Sequence, residues 1–201
     1  EKMKIGFIVN EIETEKAKYT TIRLALTATN RGHDVWIMGV GDLANDPKGY
    51  IKAWGKKVSR KKYNSSEIYL KELQSEKCIS QRIAIEELDV LFLRNDPSHE
   101  PSSRAWARSI GIHFGRLAAK HGVIVVNDPS GLSNASNKMY FQQFPETIRP
   151  KSLITRDRDE LKKFAKKYKK IILKPLLGSG GKNVFFASRT QSGNMNQMID
   201  A

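Results

Sequence analysis

The chain has 201 residues, 39% of them hydrophobic and 28% charged, which is typical of a water-exposed globular protein. No apolar run approaches the roughly 20 residues that a membrane-spanning helix needs, and the single cysteine, Cys78, excludes an internal disulfide framework. The formal net charge of +14 makes nucleic acid a partner to be considered.

Alternating apolar and amphipathic segments predict an α/β fold. In chain order the predicted elements are strand 4–9, helix 19–31, strand 34–40, helix 66–75, strand 89–94, helix 103–121, strand 123–127, helix 132–143, strand 152–155, helix 157–168, strand 170–175, strand 183–187 and the start of a helix at 194–201. The first half favours a parallel sheet with helices on its faces, and the second half a small α+β unit. The basic stretch 48–65 fits either a mobile loop or an extra hairpin.

A turn-rich segment, Asn127-Asp128-Pro129-Ser130-Gly131, separates the two halves and predicts a domain boundary after Pro129. The opening apolar segment, Ile5 to Val9, is too short for a secretory signal. Together with the lone cysteine, this favours a cytoplasmic protein that does not enter a membrane.

The positive charge is spread over separate clusters. One lies at 56–62, and another, at 162–170, follows helical spacing beside Leu161 and Phe164, as on the solvent face of an amphipathic helix. No aromatic RNA-binding signature or zinc-finger spacing accompanies these clusters. This distribution argues against a nucleic-acid partner and suits the attraction of small anionic ligands.

The segment from Ile171 to Phe186 contains an apolar strand that ends at a lysine, then a glycine-rich loop, then another apolar strand. Glycines let backbone N–H groups approach a polyphosphate, and Lys174 and Lys182 add positive charge on either side. The pattern predicts a phosphate-binding loop for which ATP is the natural ligand. A plain hairpin with a wide turn is the alternative.

Two other phosphate motifs fail. Leu176 occupies the place of the first Walker glycine and Asn183 that of the Walker Ser/Thr, and a strand rather than a helix follows. The segment 39–44 matches a dinucleotide fingerprint, but a turn at 45–49 replaces the helix that would hold a pyrophosphate. Neither pattern is expected to bind a nucleotide in this chain.

Several short segments occur in a specific order along the chain. They are Lys4 to Val9, Thr20-Thr21, Asn30-Arg31-Gly32-His33, Met38 to Leu43, Asp89 to Pro97, Val125 to Leu132, Asn137-Lys138, Pro150 to Arg156, and the glycine loop that follows Lys174-Pro175. Together they resemble the ATP-grasp ligases, and within them the bacterial type of glutathione synthetase, over nearly all of the chain. The resemblance implies a Rossmann-like, parallel-sheet pre-ATP-grasp domain at 1–129 and an incomplete α+β ATP-grasp subdomain at 130–201.

The resemblance also implies nucleotide-binding residues. Lys174 would reach the ATP phosphates from the end of its strand, and Lys138 matches a second nucleotide-binding lysine. The loop that closes over the triphosphate corresponds to Gly178, Ser179, Gly180 and Gly181.

Arg94 and Asp96 correspond to positions on the substrate side, so the resemblance assigns them to peptide binding. A structural alternative remains open, in which Asp96-Pro97 caps a helix that begins at Ser102 and Arg94 forms a surface ion pair. The chain departs from the family pattern on this side, with Asn10-Glu11 in place of Asp-Pro, Tyr19 in place of aspartate and Asn95 in place of lysine. These departures leave the identity of the peptide open.

The activity implied by the resemblance is that of an ATP-dependent ligase that joins γ-glutamylcysteine to glycine through an acyl phosphate. The implied partners are ATP, Mg²⁺, small peptide and amino-acid substrates, and a second copy of the chain in a homo-oligomer. The magnesium ligands and the second ATP-grasp subdomain are not found up to Ala201. The chain is therefore expected to be a fragment that is inactive alone and holds no metal site.

Two other functions stay open. The first is a glutamate ligase of the type that extends a ribosomal-protein tail, because such enzymes share the glycine loop and the turn at 127–131. The second is a nucleotide- or RNA-binding module without catalysis, which the net charge of +14 keeps in consideration.

Overall fold

The computed structural model describes residues 1–178, 180–188 and 197–198. The chain divides into two compact units, 1–133 and 134–201, so the division falls a few residues after the predicted boundary at Pro129. Within the described ranges, no helix is both long enough and apolar enough to cross a lipid bilayer.

The first unit alternates strands and helices. Its strands are β1 (Lys4–Val9), β2 (Asp34–Gly39), β3 (Leu43–Asn45), β4 (Ile51–Lys57), β5 (Ile79–Ala84), β6 (Val90–Leu93) and β7 (Ile124–Val126). Its helices are α1 (Thr20–Asn30), α2 (Ser66–Leu73), α3 (Ile110–Lys120) and α4 (Pro129–Asn134), the last of which reaches the boundary of the unit. Short 3-10 helices lie at Ile12–Thr14, Val40–Asp42, Ile85–Glu87, Pro97–His99 and Ser102–Arg108.

The strands form one seven-stranded sheet in the order β3-β4-β2-β1-β6-β7, with β5 paired to β4. The pairings β1 with β2, β1 with β6 and β6 with β7 are parallel, which confirms the predicted parallel sheet for this part of the chain. The pairings of β4 with its neighbours are antiparallel, so the stretch 48–65 contains a hairpin strand. Strand β5 was not predicted, because four of its six residues are exposed and polar residues interrupt its apolar pattern.

The core lies on both faces of β1. On one face, Phe7 stacks on Phe92 at 4.9 Å between ring centroids, and the buried α1 residues Ile22 and Ala25 pack into the same cluster. On the other face, Leu91 packs in a cluster with Ala118 of α3. A strand that is buried on both faces carries the near-continuous apolar run seen in β1.

Three predicted elements were wrong in extent or type. The predicted helix 103–121 is a 3-10 helix at Ser102–Arg108 followed by α3, with a non-helical backbone at Arg104, whose side chain is ion-paired to Glu11 and Glu100. The predicted helix 132–143 is divided between α4 and a 3-10 helix at Lys138–Gln143, because Asn137 is extended and caps Met139 N–H. The predicted strand 152–155 is irregular, and no strand in the described ranges pairs with it.

The second unit contains α5 (Arg158–Tyr168) and the antiparallel hairpin β8 (Lys170–Leu173) and β9 (Phe185–Ser188). Asp157 starts α5 by accepting hydrogen bonds from the backbone N–H groups of Asp159 and Glu160 at 2.8 and 3.0 Å. One face of the hairpin packs against α5. In the predicted terminal helix 194–201, Gln197 and Met198 are helical, and the rest lies outside the described residues.

Leu91→Ala tests the packing of the central sheet. Leu91 is fully buried in β6 between Gly6 of β1 and Val125 of β7, so truncation should leave a cavity and lower the free energy of unfolding by about 2–5 kcal/mol. Leu24→Ala is the matched control, because Leu24 is exposed on α1 and its truncation should change stability by less than about 0.5 kcal/mol. Urea denaturation followed by circular dichroism measures both, and equal effects would refute the assigned core.

Candidate functional site

The loop between β8 and β9 has a backbone that favours glycine. Gly178, Gly180 and Gly181 have φ values of 105°, 67° and 76°, in the left-handed region. A Cβ atom built on any of the three would meet no atom within 4 Å, so the loop is open to solvent on these sides. Predicted site residue Ser179 lies outside the described residues. The open backbone fits the predicted phosphate-binding loop.

Lys138 is joined to this loop. Its backbone N–H donates to the carbonyl oxygen of Leu176 at 3.1 Å, and its Nζ donates to the carbonyl oxygen of Gly178 at 2.9 Å. Asn137 positions the lysine, because its side chain caps the 3-10 helix by accepting from Met139 N–H at 2.8 Å. The structure therefore brings a predicted nucleotide-binding lysine to the predicted loop.

Lys174 directly follows β8 and is exposed. It makes no hydrogen bond or ion pair with any residue in the described ranges, so its ammonium group is available to an external anion. Lys138 and Lys174 are thus both next to the glycine loop, one bonded to it and the other in solvent.

The face of the hairpin turned away from α5 is apolar. Ile172 pairs with Phe186 across the two strands, and these side chains are 59% and 55% exposed. On the other face, Ile171 and Ala187 are buried and pack with Phe164 of α5. An apolar surface beside a lysine and a glycine loop can accept the planar base and the phosphates of one nucleotide.

A second candidate site is a cavity of about 710 Å³ in the first unit. It is lined by Asn10, which follows β1, and by Arg94 and Asp96, which follow β6. Strands β1 and β6 are neighbours in the middle of the sheet, with β2 on the other side of β1 and β7 on the other side of β6. The cavity therefore lies at the carboxyl ends of the strands, at the point where the strand order changes direction. Ligands of open α/β sheets bind at this position.

A buried polar network forms one wall of the cavity. The Asn10 side chain accepts from Asp96 N–H at 2.7 Å and donates to Asp96 C=O at 2.8 Å and to Glu100 Oε1 at 2.7 Å. Arg104 binds the other oxygen of Glu100 at 2.8 Å and contacts Glu11 at 2.6 Å. The Glu100 side chain is only 3% exposed, and these partners neutralise its charge and satisfy both oxygens.

The structural alternative for Arg94 and Asp96 is partly wrong. Asp96 caps the 3-10 helix at Pro97–His99, where its Oδ1 accepts from Ser98 N–H at 2.9 Å, and does not cap the helix at Ser102. Arg94 forms no ion pair with a residue of the described ranges, and its Nε donates to Thr21 Oγ1 at 3.1 Å. Both side chains line the cavity, and their assignment to peptide binding stays a prediction.

Glu15 also lines the cavity and was not predicted as a site residue. Its Oε2 is buried and has no hydrogen-bond partner in the part of the chain that the structure describes. Burial raises the pKa of the Glu15 carboxyl to about 7, although the positive charge of Arg94 lowers it. A weak signal preceded this finding, because the departure from the family pattern begins five positions earlier, at Asn10-Glu11.

Family profiles match both parts of the chain. Residues 3–133 match the N-terminal domain of prokaryotic glutathione synthetase, and residues 137–201 match its ATP-grasp domain. The glutathione synthetase of Gloeobacter violaceus is 31% identical over 99% of this chain and 59% of its own length. That of Vibrio cholerae is 29% identical over 98% of this chain and 57% of its own length. The chain therefore spans less than two thirds of these relatives.

Solved structures agree on the fold. A RimK domain ATP-grasp protein from Sphaerobacter thermophilus has a TM-score of 0.51 at 11% identity, covering 98% of this chain and 57% of its own. The ATP-grasp ligase PsnB, solved with a minimal precursor, Mg and ADP, has a TM-score of 0.50 at 15% identity, covering 98% of this chain and 62% of its own.

The fold is that of the ATP-grasp class of ligases. Within this class, the chain belongs to the prokaryotic glutathione synthetase family.

Glu15→Gln tests the burial of the carboxyl group. Its pKa is about 7 in the folded chain and about 4.5 when unfolded, so its stabilising contribution is complete below pH 4.5 and is lost as the pH rises through 7. The glutamine variant does not ionise. The wild type loses stability as Glu15 ionises, and the variant does not. The unfolding free energy of the variant minus that of the wild type should therefore increase by about 1–2 kcal/mol from pH 5 to pH 8, after allowance for solvent screening.

Glu13→Gln is the matched control for this measurement. Glu13 is an exposed neighbour whose pKa is lowered by its hydrogen bond to Lys56, so its replacement should bring no gain at pH 8. Urea denaturation at the two pH values measures the difference for each variant. A Glu15→Gln difference that does not change with pH would contradict the predicted ionisation.

Proposed function

We propose that this chain is part of an ATP-dependent carboxylate–amine ligase that forms glutathione from γ-glutamylcysteine and glycine, releasing ADP and phosphate. The observation that carries the proposal is the placement of two lysines at one open glycine loop. Lys138 Nζ binds the Gly178 carbonyl at 2.9 Å, and Lys174 is exposed without a partner in the described ranges. The family membership and the fold support the same assignment.

The reaction requires activation of a carboxylate, which is a poor electrophile at neutral pH. A carboxylate oxygen of the peptide attacks the γ-phosphorus of ATP, and the bond from that phosphorus to the ADP oxygen breaks. The amine nitrogen of glycine then attacks the acyl phosphate, which expels phosphate and releases a proton as the amide forms. Fixed positive groups at the transferring phosphoryl group stabilise the charge that gathers there.

In this proposal, Lys174 and Lys138 bind the ATP phosphates, and the loop of Gly178, Ser179, Gly180 and Gly181 covers them. The exposed pair Ile172 and Phe186 contacts the adenine. Exclusion of water by the loop protects the acyl phosphate from hydrolysis. The backbone of the described glycines fits this role, because no atom lies within 4 Å of their open sides.

Magnesium would supply charge neutralisation when bound with ATP, and the PsnB structure solved with Mg and ADP supports its use. In the described ranges, no group of three or more His, Cys, Asp or Glu side chains could hold a metal ion, so no ligand is assigned here. Residues 1–129 act in the proposal as the pre-ATP-grasp domain, with Arg94 and Asp96 binding the peptide, and 130–201 as the first ATP-grasp subdomain. We place the enzyme in the cytoplasm as a homo-oligomer.

Lys174→Ala tests the nucleotide assignment. Loss of this charge at the phosphates should lower kcat/KM for ATP on the order of 30- to 1,000-fold, which corresponds to about 2–4 kcal/mol of lost transition-state stabilisation. The assay measures ADP release by the native polypeptide, because this chain spans only 59% of its relative from Gloeobacter violaceus.

Lys166→Ala is the control, because Lys166 is an exposed lysine on the last turn of α5. Its replacement should leave kcat/KM within twofold of the wild type. Unchanged ATP kinetics in Lys174→Ala would remove this lysine from the nucleotide site.

A glutamate ligase of the type that modifies a ribosomal protein is the second candidate. It is favoured by the departures at Asn10, Glu11 and Tyr19, since all three residues line the cavity of the first unit. ADP release with glycine and with L-glutamate as the amine separates the two candidates. Salt-dependent RNA affinity without ADP release would instead favour a binding module.

A further inference from the structure

Arg94 and Glu15 are oppositely charged groups in the cavity of the first unit, and neither forms an ion pair with a described residue. Arg94 uses its Nε to bind Thr21, and its two terminal nitrogens make no hydrogen bond with a described residue. Glu15 Oε2 is buried and likewise lacks a partner in the described part of the chain. The positive charge of Arg94 is near enough to lower the pKa of Glu15, but the two groups form no ion pair.

The other carboxylates of the cavity are already bound by the protein. Glu100 is held by Asn10 and Arg104, and Glu11 is held by Arg104. Lys16 and Lys18 are exposed, so water solvates their charges. Arg104 Nη2 is also buried without a partner among the described residues, but its guanidinium already holds two carboxylates. The pair of opposite charges that remains consists of the Arg94 guanidinium fork and the buried Glu15 Oε2.

An unpartnered buried carboxylate oxygen costs free energy that a polar ligand could recover. The carboxylate accepts hydrogen bonds well from an ammonium group, and the free guanidinium fork suits a carboxylate in a bidentate contact. The ligand that presents both groups on one carbon atom is an α-amino acid. A cavity of about 710 Å³ also has room for more than this head group.

We propose that Glu15 determines specificity by binding the α-ammonium group of the peptide substrate, while Arg94 binds the α-carboxylate beside it. This inference rests on the proposed function, because γ-glutamylcysteine carries a free α-amino acid head at its γ-glutamyl end. Its cysteine carboxylate is then left for activation by ATP. Glu15 and Arg94 thus recognise the γ-glutamyl end of the peptide, which does not react.

Glu15→Gln and a ligand without the ammonium group form a cycle that tests this contact. The ligands are γ-glutamylcysteine and glutarylcysteine, which differ only in the α-amino group. Isothermal titration calorimetry on the native polypeptide, with a non-hydrolysable ATP analogue present, measures each affinity. Glu13→Gln is the control, since Glu13 is the same residue type nearby and does not line the cavity.

Removal of the ammonium group should weaken binding to the wild type and to Glu13→Gln by roughly 10- to 100-fold, as for a hydrogen bond between charged groups. Glu15→Gln should bind γ-glutamylcysteine more weakly by a similar factor and should not distinguish the two ligands. This variant is also expected to be more stable than the wild type at pH 8, so unfolding would not explain weaker binding.

Equal affinity of Glu15→Gln and the wild type for γ-glutamylcysteine would overturn the inference, as would an equal loss for both ligands. Absence of γ-glutamylcysteine binding to the wild type would also overturn it. ADP release measured in parallel separates this result from the proposed function. Normal turnover with an unimportant Glu15 refutes the inference alone, whereas the expected binding cycle without amide formation refutes the ligase and leaves the head-group contact in place.

Discussion

Asn10 fixes the geometry on which the cavity of the first unit depends. Its side-chain amide bonds both backbone groups of Asp96 and one oxygen of Glu100, so it ties the end of β1 to the segment that follows β6. An amide satisfied on both sides adopts one orientation. Because Glu100 is buried, loss of any partner would leave a polar group unpaired at a cost of roughly 1–3 kcal/mol. The wall that carries Arg94 and Asp96 is therefore positioned before any ligand arrives.

The two candidate sites are built on different physical principles. The cavity is lined by charged side chains that mostly hold one another. Among the described residues of its lining, Glu15 Oε2 and Arg104 Nη2 are buried without a hydrogen-bond partner, and Arg94 uses only its Nε. The glycine loop relies on open backbone and on the exposed ammonium group of Lys174, and Lys138 holds it by a hydrogen bond to the Gly178 carbonyl oxygen. Among the described residues of the second unit, Ile171 and Ala187 are the buried hydrophobic core. Few buried contacts leave a loop free to adapt to its ligand.

The sequence was most informative where local chemistry decides the structure. The continuous apolar runs predicted β1, β2 and β6, and the lysine and glycine pattern predicted a strand, an open loop and a second strand. Lys138, which was predicted to bind the nucleotide, lies at that loop, and its role in nucleotide binding stays a prediction. Residues 138–143 form a 3-10 helix rather than the end of an α-helix. The extended Asn137 caps this helix with its side chain, and helix propensity alone does not predict such a break.

Other features depend on contacts between distant residues. The partners of Glu100 include Asn10, which is ninety positions earlier, and no local spacing reveals that pairing. Burial of Glu15 likewise arises from the fold, and the nearby departure from the family pattern at Asn10-Glu11 did not predict its raised pKa. Strand β5 forms because β4 offers it a ladder from Lys52 to Lys57, and its own polar sequence did not predict it.

Trp106 gives the first unit an optical property that follows from the same network. Arg104, which holds Glu11 and Glu100 in the cavity wall, also places its guanidinium 5.1 Å from the centre of the Trp106 ring. The ring is 51% exposed, so its emission responds to the charge and water around it. All three tryptophans of the chain precede residue 134, and intrinsic tryptophan fluorescence therefore originates in the unit that contains the cavity. A ligand that displaces Arg104 would change the emission, and the protein would report occupancy of its cavity without an attached dye.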